Sequence, residues 1–370
     1  MTTIENRALL RSGSGLHLRR NTTHTLGAGP LRRILRVGVC GTDLQIQRRV
    51  RPDQAAILGH EGIALRFDDD GTARCCEIFN PVDPHDQDVI LGHSYDGILQ
   101  DFIADTVPSR CVVPAWGSLP VDLGALVEPT ATALYAWELM RPHLSPKASV
   151  AIFGGGCAAL LMAILGEDLG YRIRLIHPRR DRLEFIADLG VLDSAEFADF
   201  TLPDSADGAV ICLPREAAWQ AIEQATWTLT AGGVLDLFGG VPTGPCHPAL
   251  PHIPLAAVRR MNVCGKAQNP RHIDAITSSG KQLRITGHRG TSPAQLHAAQ
   301  QHLIAAPARF GKLVTQVISL PEAASVIPAM ARRDRGRGEY AKIVVDLVMQ
   351  QRSRPVDLGT TVADQLQDQR

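Results

Sequence analysis

The sequence predicts an α/β protein of two domains, one rich in β-strands and one built on a doubly wound parallel sheet. Its 370 residues are more than one average domain needs. From 148 to 265, short apolar runs alternate with helix-like segments about once per 25–30 residues, which is typical of parallel βαβ units. Between 60 and 115, frequent Gly, Pro and Asp residues indicate a loop-rich β region.

The predicted elements follow one another in a regular order. Residues 1–36 are typical of short strands and turns, and 122–141 of a helix around a proline. The apolar run at 149–153 ends in glycines and begins the sheet domain, while 342–347 predicts a closing strand. Residues 349–370 are interpreted as either a docked arm or a frayed tail. The later segments of the sheet domain are RIRLIH, RDRLEFIADLG, GAVICL, EAAWQAIEQATWTL and GGVLDLFGG.

Composition excludes several classes of protein. The 45% of hydrophobic residues exclude disorder throughout, and 38 basic residues balance 38 acidic ones. A net charge of zero gives no overall field that would attract nucleic acid or an anionic membrane, so we expect neither as a partner. The longest apolar stretch, 150–165, contains three glycines and is too short for a membrane span. The N-terminus lacks a signal-peptide pattern, and eight cysteines are too few for a disulfide scaffold, so we expect a cytoplasmic protein.

A glycine-rich turn separates the first strand of the sheet domain from its first helix. Gly154, Gly156 and Ala159 fit the pattern G-x-G-x-x-A. The first glycine permits a tight turn, the second lets the backbone approach a pyrophosphate, and the small third residue permits close packing. The helix N-terminus adds N–H groups that favour a phosphate. The pattern therefore predicts dinucleotide binding, although a glycine-rich turn without a ligand is the alternative.

The end of the second predicted strand bears on the choice between NAD and NADP. An acidic residue usually binds the adenosine ribose of NAD at this position, but the chain has His177 there. Arg179 and Arg180 follow, and an arginine can pair with a 2′-phosphate. This pattern favours NADP slightly over NAD. The alternative is that both arginines are solvated, with Asp181 as a partner.

An ordered set of motifs runs through nearly the whole chain. These motifs are GVCGTDL (38–44), GHEG (59–62), NPVDP (80–84), DGILQDF (96–102), ALVEPTATALYA (125–136), the glycine turn, GGVLDLFGG (232–240), RRMNVCGKAQNP (259–270) and EYAKIVVDL (339–347). With them the chain resembles the zinc-containing medium-chain dehydrogenase/reductase family, and within it the polyol and threonine dehydrogenase-like branch. The resemblance implies a GroES-like catalytic domain from 1–146 together with 284–370. It also implies a Rossmann NAD(P)-binding domain from 147–283, with the active site in the cleft between the two.

The resemblance implies one catalytic zinc. Cys40 matches the thiolate ligand of the family and His60 its imidazole ligand, while Glu61 and Glu128 match carboxylates that bind the metal or lie beside it. A thiolate, an imidazole and a carboxylate suit zinc, and a catalytic site keeps one position open. The alternatives are a buried structural cysteine and a surface His–Glu pair.

The resemblance also assigns roles to residues near the expected metal. Thr42 matches the hydroxyl that relays the alcohol proton, and Asp43 matches a carboxylate that orients His60. The predicted catalytic residues are thus Cys40, Thr42, Asp43, His60 and Glu61. Alternatively, Thr42 and Asp43 form a helix cap or an Asx-turn. Lys342 matches a basic position near the cofactor pyrophosphate, and its alternative is a surface lysine at a strand end.

The chain departs from the family in two respects. After NPVDP it lacks the four closely spaced cysteines that hold a structural zinc in many members, so we predict no structural zinc. The loop between Cys40 and His60 is also short, which indicates an unusual substrate shape. His85 and His93 follow in the contracted region, and solvated loop histidines are the favoured interpretation of both.

These observations predict an enzyme that interconverts a secondary alcohol and its ketone with NAD(P) and zinc. The resemblance implies polyol, amino-alcohol or sugar-like substrates, and a homodimer or homotetramer by analogy. One alternative is a zinc-free, NADPH-dependent reductase of an activated double bond in an enone or imine. The other is a non-catalytic nucleotide-binding relative.

Overall fold

The structure is a computed structural model that divides into two compact units. It describes residues 3–13, 15–25, 31–104, 107–242, 244, 246–334, 338–349 and 353–368. Unit 1 comprises residues 1–128 and 292–370, and unit 2 comprises residues 129–291. Within the described ranges, no helix has the length and apolar character needed to cross a membrane.

The strands and helices of the described residues are numbered in chain order. The strands are β1 Thr3–Ser12, β2 Gly15–Thr25, β3 Leu31–Gly38, β4 Glu61–Phe67, β5 Ala73–Phe79, β6 Phe102–Ala104, β7 Val112–Pro114, β8 Ser149–Phe153, β9 Arg172–Ile176, β10 Glu196–Ala198, β11 Ala206–Ile211, β12 Leu229–Leu237, β13 Asn262–Val263, β14 Ile273–Ile276, β15 Gln282–Arg289, β16 Val314–Ser319 and β17 Lys342–Asp346. The helices are α1 Gly41–Gln47, α2 Val127–Met140, α3 Cys157–Asp168, α4 Arg180–Leu189, α5 Arg215–Thr228, α6 Leu255–Val258, α7 Pro293–Ala305, α8 Pro307–Gly311, α9 Leu320–Ala331 and α10 Val362–Gln367, with 3₁₀ turns at Ser109–Cys111, Val121–Leu126 and Arg141–His143.

Unit 1 is built on a mainly antiparallel sheet with the strand order β16-β17-β3-β4-β5-β7, and β6 pairs with β3. Strands β1 and β2 form a separate hairpin. Apolar side chains from β3, β4, β17 and α9 form one buried core under this sheet. The sheet places the N-terminus of β4 beside the C-terminus of β3, because Gly38 pairs with Glu61 across the antiparallel ladder. Residues that follow β3 and precede β4 are thereby brought together.

Unit 2 contains a predominantly parallel sheet with the order β10-β9-β8-β11-β12-β15-β13, and β14 lies antiparallel beside β15. The order runs outward in both directions from β8 and β11, so the sheet is doubly wound. In such sheets, ligands bind outside the carboxyl ends of the strands where the order reverses. The predicted fold class, a β-rich domain with a doubly wound parallel sheet, is confirmed.

The compact units divide at 128/129 and 291/292, whereas the sequence-based domain boundaries lie at 146/147 and 283/284. Most of α2 belongs to unit 2, where the indole of Trp137 donates to the carbonyl oxygen of Met162 at 3.1 Å. Strand β15 also continues to Arg289 before the chain leaves this unit. Neither the contact between Trp137 and Met162 nor the end of β15 can be recognised from the local sequence. The sequence-based boundaries therefore differ from those of the compact units.

The C-terminal residues 353–368 dock on the rest of unit 1. This agrees with the docked arm, one of the two interpretations of residues 349–370. Arg354 exchanges backbone hydrogen bonds with Val317, and the Val121 N–H donates to the carbonyl oxygen of Thr360 at 3.0 Å. The Arg354 guanidinium also reaches the buried carboxylates of Asp122 and Asp346, at 2.6 and 3.1 Å. The segment is therefore held by both backbone and ionic contacts.

Candidate metal centre and glycine turn

Cys40 begins helix α1 directly after strand β3. Its sulfur accepts a hydrogen bond from the Thr42 N–H at 3.4 Å, and Asp43 Oδ2 accepts one from the Cys40 N–H at 2.9 Å. These reciprocal bonds form a capping box, which satisfies backbone N–H groups that a helix start leaves without partners. The sequence CGTD therefore fixes the thiol at the helix N-terminus, and Asp43 has the capping role that the sequence left open.

Asp43 also faces His60, which lies just before β4. Its Oδ1 accepts a hydrogen bond from the Gly59 N–H at 3.2 Å and lies 3.5 Å from His60 Nδ1. Burial raises the pKa of Asp43, but the His60 charge and the hydrogen bonds from the Cys40 and Gly59 N–H groups lower it by more, so the net shift is downward. A buried carboxylate behind the imidazole favours one ring orientation, with Nε2 directed away from Asp43.

Three potential metal ligands converge at this point of unit 1. The Cys40 thiol, the His60 ring and the Glu61 carboxylate offer ligand atoms that all lie within 4.8 Å of one another. His60 Nε2 lies 4.0 Å from Glu61 Oε1. One sulfur, one nitrogen and one oxygen donor match the ligand types that zinc prefers. Glu128 is not in this group and lies in the first turn of α2, so its role as a ligand stays a prediction.

Glu61 also has a cationic partner that the sequence did not indicate. The Lys342 ammonium donates a hydrogen bond to Glu61 Oε2, and both residues are buried. A buried carboxylate needs such a partner, because an uncompensated charge away from water is costly. The expected contact of Lys342 with a cofactor pyrophosphate stays a prediction, while its contact with Glu61 ties β17 to the metal centre.

The surroundings of the candidate ligands raise the pKa of both the Cys40 thiol and the His60 imidazole. Burial and the Glu61 charge raise the pKa of the Cys40 thiol; the opposing effects of His60 and Lys342 are smaller. Burial lowers the pKa of His60, but the charges and hydrogen bonds of Asp43 and Cys40 raise it well above its usual value. A metal that binds here must displace these protons, since a thiolate and a neutral imidazole are the binding forms.

His93 corrects one sequence-based interpretation. It is buried rather than solvated, and its ring packs edge-on against the His60 ring with centroids 4.7 Å apart. Its Nδ1 lies 3.8 Å from Asp53 Oδ1. The loop prediction failed because the Gly- and Asp-rich segment folds back over the metal centre. His85 is exposed, as expected.

Three glycines let the segment that carries His93 approach the backbone beside His60. Gly59 has a φ of 92° and Gly92 a φ of 72°, which are left-handed conformations that favour glycine. A Cβ atom on Gly97 would lie 2.2 Å from the Gly59 carbonyl oxygen and 2.7 Å from that of Leu58. The backbone of Leu58 and Gly59, just before the predicted ligand His60, therefore packs directly against the backbone of Gly97.

Gly97→Ala should destabilise unit 1 and reduce zinc retention, although Gly97 offers no ligand atom. We expect a loss of about 1–3 kcal/mol in the free energy of unfolding, because the methyl group displaces backbone rather than a flexible side chain. Urea unfolding and metal analysis measure both effects. Gly117→Ala is the control, since its Cβ would meet only Ala363 Cβ at 3.6 Å. Equal stability of the two variants would contradict the expected clash.

The predicted glycine turn lies at the carboxyl end of β8 in unit 2. Gly154 has a φ of 137°, and a Cβ there would lie 2.6 Å from the Cys212 carbonyl oxygen. Gly156 caps α3, and a Cβ on it would meet no atom within 4 Å. Ala159 is completely buried. Backbone N–H groups at a helix N-terminus favour a phosphate, but binding of the cofactor pyrophosphate at this turn stays a prediction.

The residues after β9 are occupied by local contacts. His177 Nδ1 accepts a hydrogen bond from the Arg179 N–H at 3.2 Å. The Arg179 guanidinium pairs with Asp181 at 2.7 Å and that of Arg180 with Asp199 at 2.6 Å. The structure thus shows the Asp181 partner that the sequence offered as the alternative. Binding of a 2′-phosphate by either arginine stays a prediction.

Arg182, in the first turn of α4, contacts the glycine turn in a way that the sequence does not indicate. It is buried, and its Nε donates a hydrogen bond to the Gly155 carbonyl oxygen at 2.9 Å. The contact joins the first turn of α4 to the loop between β8 and α3. Arginines are common in helices, so the local sequence carries no signal for this role.

Comparisons with known proteins agree with this fold. No family model matches the chain. The 2-dehydro-3-deoxy-L-galactonate 5-dehydrogenase of Pseudoalteromonas atlantica is 25% identical over 42% of this chain, which spans about half (51%) of that protein's length. A protein of Sinorhizobium meliloti 1021, described as a zinc-binding dehydrogenase and solved with NADP, superimposes with a TM-score of 0.68 at 20% identity, covering 93% of this chain and 100% of that one.

Two further solved structures have the same fold. The L-idonate 5-dehydrogenase of Escherichia coli K-12 gives a TM-score of 0.69 at 15% identity, covering 94% of this chain and 99% of that chain. An alcohol dehydrogenase of Thermotoga maritima gives 0.67 at 17% identity, covering 93% and 99%. The chain therefore has the same fold as these dehydrogenases. The resemblance drawn from the ordered motifs is confirmed, and the relatives are dehydrogenases of alcohols and sugar acids by name.

Proposed function

We propose that the protein is a zinc-dependent oxidoreductase that interconverts a secondary alcohol and its ketone with NAD(P). The observation that carries the proposal is the convergence of Cys40, His60 and Glu61, whose ligand atoms lie within 4.8 Å of one another. Three protein ligands with one open position are typical of catalytic zinc. We propose one zinc per chain and no structural zinc.

Each residue of the site has a part in this chemistry. Zinc, when bound, polarises the alcohol oxygen, and the nicotinamide accepts the hydride. Cys40, His60 and Glu61 hold the metal, and Asp43 orients His60. The Thr42 hydroxyl takes the alcohol proton and passes it toward solvent.

The glycine turn binds the dinucleotide in this proposal. Gly154 and Gly156 let the backbone and the N-terminus of α3 approach the pyrophosphate, and Arg182 holds the turn through Gly155. The absence of an acidic residue at His177 favours NADP slightly, because no carboxylate there repels a 2′-phosphate. One relative with this fold was solved with NADP bound, which supports the same choice.

Sugar-like alcohols are the proposed substrates. The L-idonate 5-dehydrogenase and the 2-dehydro-3-deoxy-L-galactonate 5-dehydrogenase carry names of sugar acids. Their names direct the substrate panel to polyols and sugar acids first, ahead of simple alcohols.

Replacing Cys40 with serine tests the proposal. We expect about one zinc per chain in the protein purified without chelator, and loss of both zinc and alcohol oxidation in Cys40→Ser. The measurements are elemental analysis and turnover of a polyol and sugar-acid panel with NAD and NADP. Cys75→Ser is the matched control, because Cys75 lies half-buried on β5 and outside the ligand group.

Two results would overturn the proposal. Zinc-free protein that reduces enones or imines, with Cys40→Ser fully active, would identify a double-bond reductase. Binding of cofactor without turnover of any panel member would identify a non-catalytic nucleotide-binding relative.

A further inference from the structure

Asp236 and His288 form a buried polar pair in unit 2, away from the predicted metal ligands. Asp236 is 0% and His288 1% exposed, and Asp236 Oδ1 lies 3.7 Å from His288 Nδ1. Within the described part of the chain, neither carboxylate oxygen and neither ring nitrogen has a hydrogen-bond partner. Four polar atoms in one place are therefore buried without hydrogen bonds among the described residues.

The pair lies at the carboxyl ends of two neighbouring parallel strands. Asp236 of β12 is opposite Thr286 of β15, and His288 follows two residues later, so both side chains share one face of the sheet. The rings of Tyr135 and Phe238 lie edge-on to His288, with centroids 5.3 and 5.4 Å away. The buried Tyr135 hydroxyl also has no hydrogen-bond partner among the described residues. The surroundings are thus aromatic, with a few convergent polar groups.

Such an arrangement is costly for the free protein. Burying a carboxylate or an imidazole without hydrogen bonds opposes folding, and most buried polar groups in proteins have partners. The Arg259 guanidinium lies nearby and donates a hydrogen bond to the backbone carbonyl oxygen of His288. Apolar residues would satisfy the same positions, as Leu235 and Leu237 do on the opposite face. The pair therefore indicates a ligand that completes its hydrogen bonds.

The strand order indicates which part of a dinucleotide reaches this pair. The glycine turn lies at the end of β8, with β9 and β10 on one side and β11, β12 and β15 on the other. Doubly wound sheets bind one nucleoside over each half, with the pyrophosphate between them. The adenosine belongs to the half with β9, where the ribose-binding position is His177. The nicotinamide nucleoside belongs to the half that carries Asp236 and His288.

We propose, on the basis of the proposed function, that Asp236 and His288 bind the nicotinamide end of the cofactor. The Asp236 carboxylate accepts the carboxamide N–H groups, and the His288 imidazole donates to the carboxamide oxygen. The oxidised nicotinamide ring is a cation and the reduced ring is neutral. A buried carboxylate beside the ring therefore favours the oxidised cofactor, since the two charges attract strongly in a region that excludes water.

The charge difference between the two redox states gives a test that does not need turnover. Asp236→Asn keeps the shape and an acceptor oxygen but removes the charge. We expect its dissociation constant for NAD⁺ or NADP⁺ to rise about tenfold, while that for NADH or NADPH changes by less than about threefold. Calorimetry measures the dissociation constants of NAD⁺ and NADP⁺, and the fluorescence of the reduced nicotinamide measures those of NADH and NADPH.

A matched control and an analogue sharpen the experiment. Asp207→Asn removes a charge from the same sheet at the amino end of β11, where Asp207 Oδ2 accepts from the Ser149 N–H at 2.9 Å. It should bind both redox forms as the wild type does. The acetylpyridine analogue lacks the carboxamide N–H groups, so the wild type should bind it more weakly than the parent cofactor. The Asp236→Leu variant should bind the acetylpyridine analogue and the parent cofactor with equal affinity.

The outcomes separate this proposal from the proposed function. A wild type that binds neither redox form contradicts the proposed function, and this inference with it. A wild type that binds both, with Asp236→Asn unchanged or equally weakened for both forms, overturns this inference alone. Unchanged affinities would mean that the pair holds only buried water. Thermal unfolding of each variant confirms that it is folded.

Discussion

Replacing Asp122 with alanine should lower the free energy of unfolding of unit 1 by about 3–5 kcal/mol. Asp122 is buried and accepts hydrogen bonds from Arg36 Nε at 2.6 Å, Arg354 Nη1 at 2.6 Å and the Asp357 N–H at 2.7 Å. Removing its carboxylate leaves the Arg36 guanidinium buried, with Asp346 as its remaining anionic partner among the described residues. Because Arg354 and Asp357 lose the same acceptor, the C-terminal segment should be held less tightly, by its backbone hydrogen bonds and the Arg354–Asp346 pair.

Chemical denaturation of the full chain measures this effect. Asp122→Asn is the intermediate variant, because its amide oxygen still accepts hydrogen bonds but carries no charge. A loss below about 1 kcal/mol in Asp122→Ala would show that the network is not important for stability.

The same carboxylate should make stability depend on acid. Burial raises the pKa of Asp122, but hydrogen bonds and charges of Arg354 and Arg36 lower it by more, so its pKa in the folded protein lies below the usual value. Its contribution is therefore complete above the unfolded pKa of about 3.9 and disappears as the pH falls through the folded value. Asp122→Asn should lack this part of the acid sensitivity.

Lys342→Met should lower the free energy of unfolding of the metal-free protein by about 3 kcal/mol. It leaves the buried Glu61 carboxylate without the ammonium that now donates to it. Bound zinc would then supply the positive charge that Lys342 supplies in the wild type, so added zinc should raise the unfolding temperature more in Lys342→Met than in the wild type. Thermal unfolding with chelator and with zinc measures both.

Two companion variants control the lysine experiment. Lys342→Arg keeps a cation and should resemble the wild type in its response to zinc. In metal-free protein, Glu61→Gln combined with Lys342→Met removes both charges and should cost less than Lys342→Met alone. Equal zinc-induced shifts in the wild type and Lys342→Met would show that Lys342 does not compete with the metal for Glu61.

Much of the fold could be predicted from the sequence because its signals are local. The alternation of apolar runs and helical segments around Gly154 and Gly156 defines the parallel sheet of unit 2. The boundaries between the units could not be predicted, since α2 joins unit 2 through tertiary contacts such as the one between Trp137 and Met162. The sequence predicts a helix around a proline over 122–141, but no residue there marks a boundary between domains.

The candidate site was predictable in part for the same reason. Cys40 and His60 stand in short motifs, and the antiparallel pairing of β3 with β4 brings them together. The partner of Glu61 could not be predicted, because Lys342 is 281 positions away and strand ends often carry a lysine. The buried pairing of Asp236 with His288 could not be predicted either. A single acidic residue or histidine in an apolar strand is often solvated, and the sequence does not show which ones are buried.

The docked C-terminal segment determines where the gene can be shortened. A stop codon before Ser353 would remove the Arg354 guanidinium and the Asp357 N–H from Asp122, together with α10. A stop codon after Asp368 would remove none of these described contacts. Expression trials should therefore keep the chain through Asp368, and a cleavable affinity tag belongs beyond that residue rather than in place of the segment.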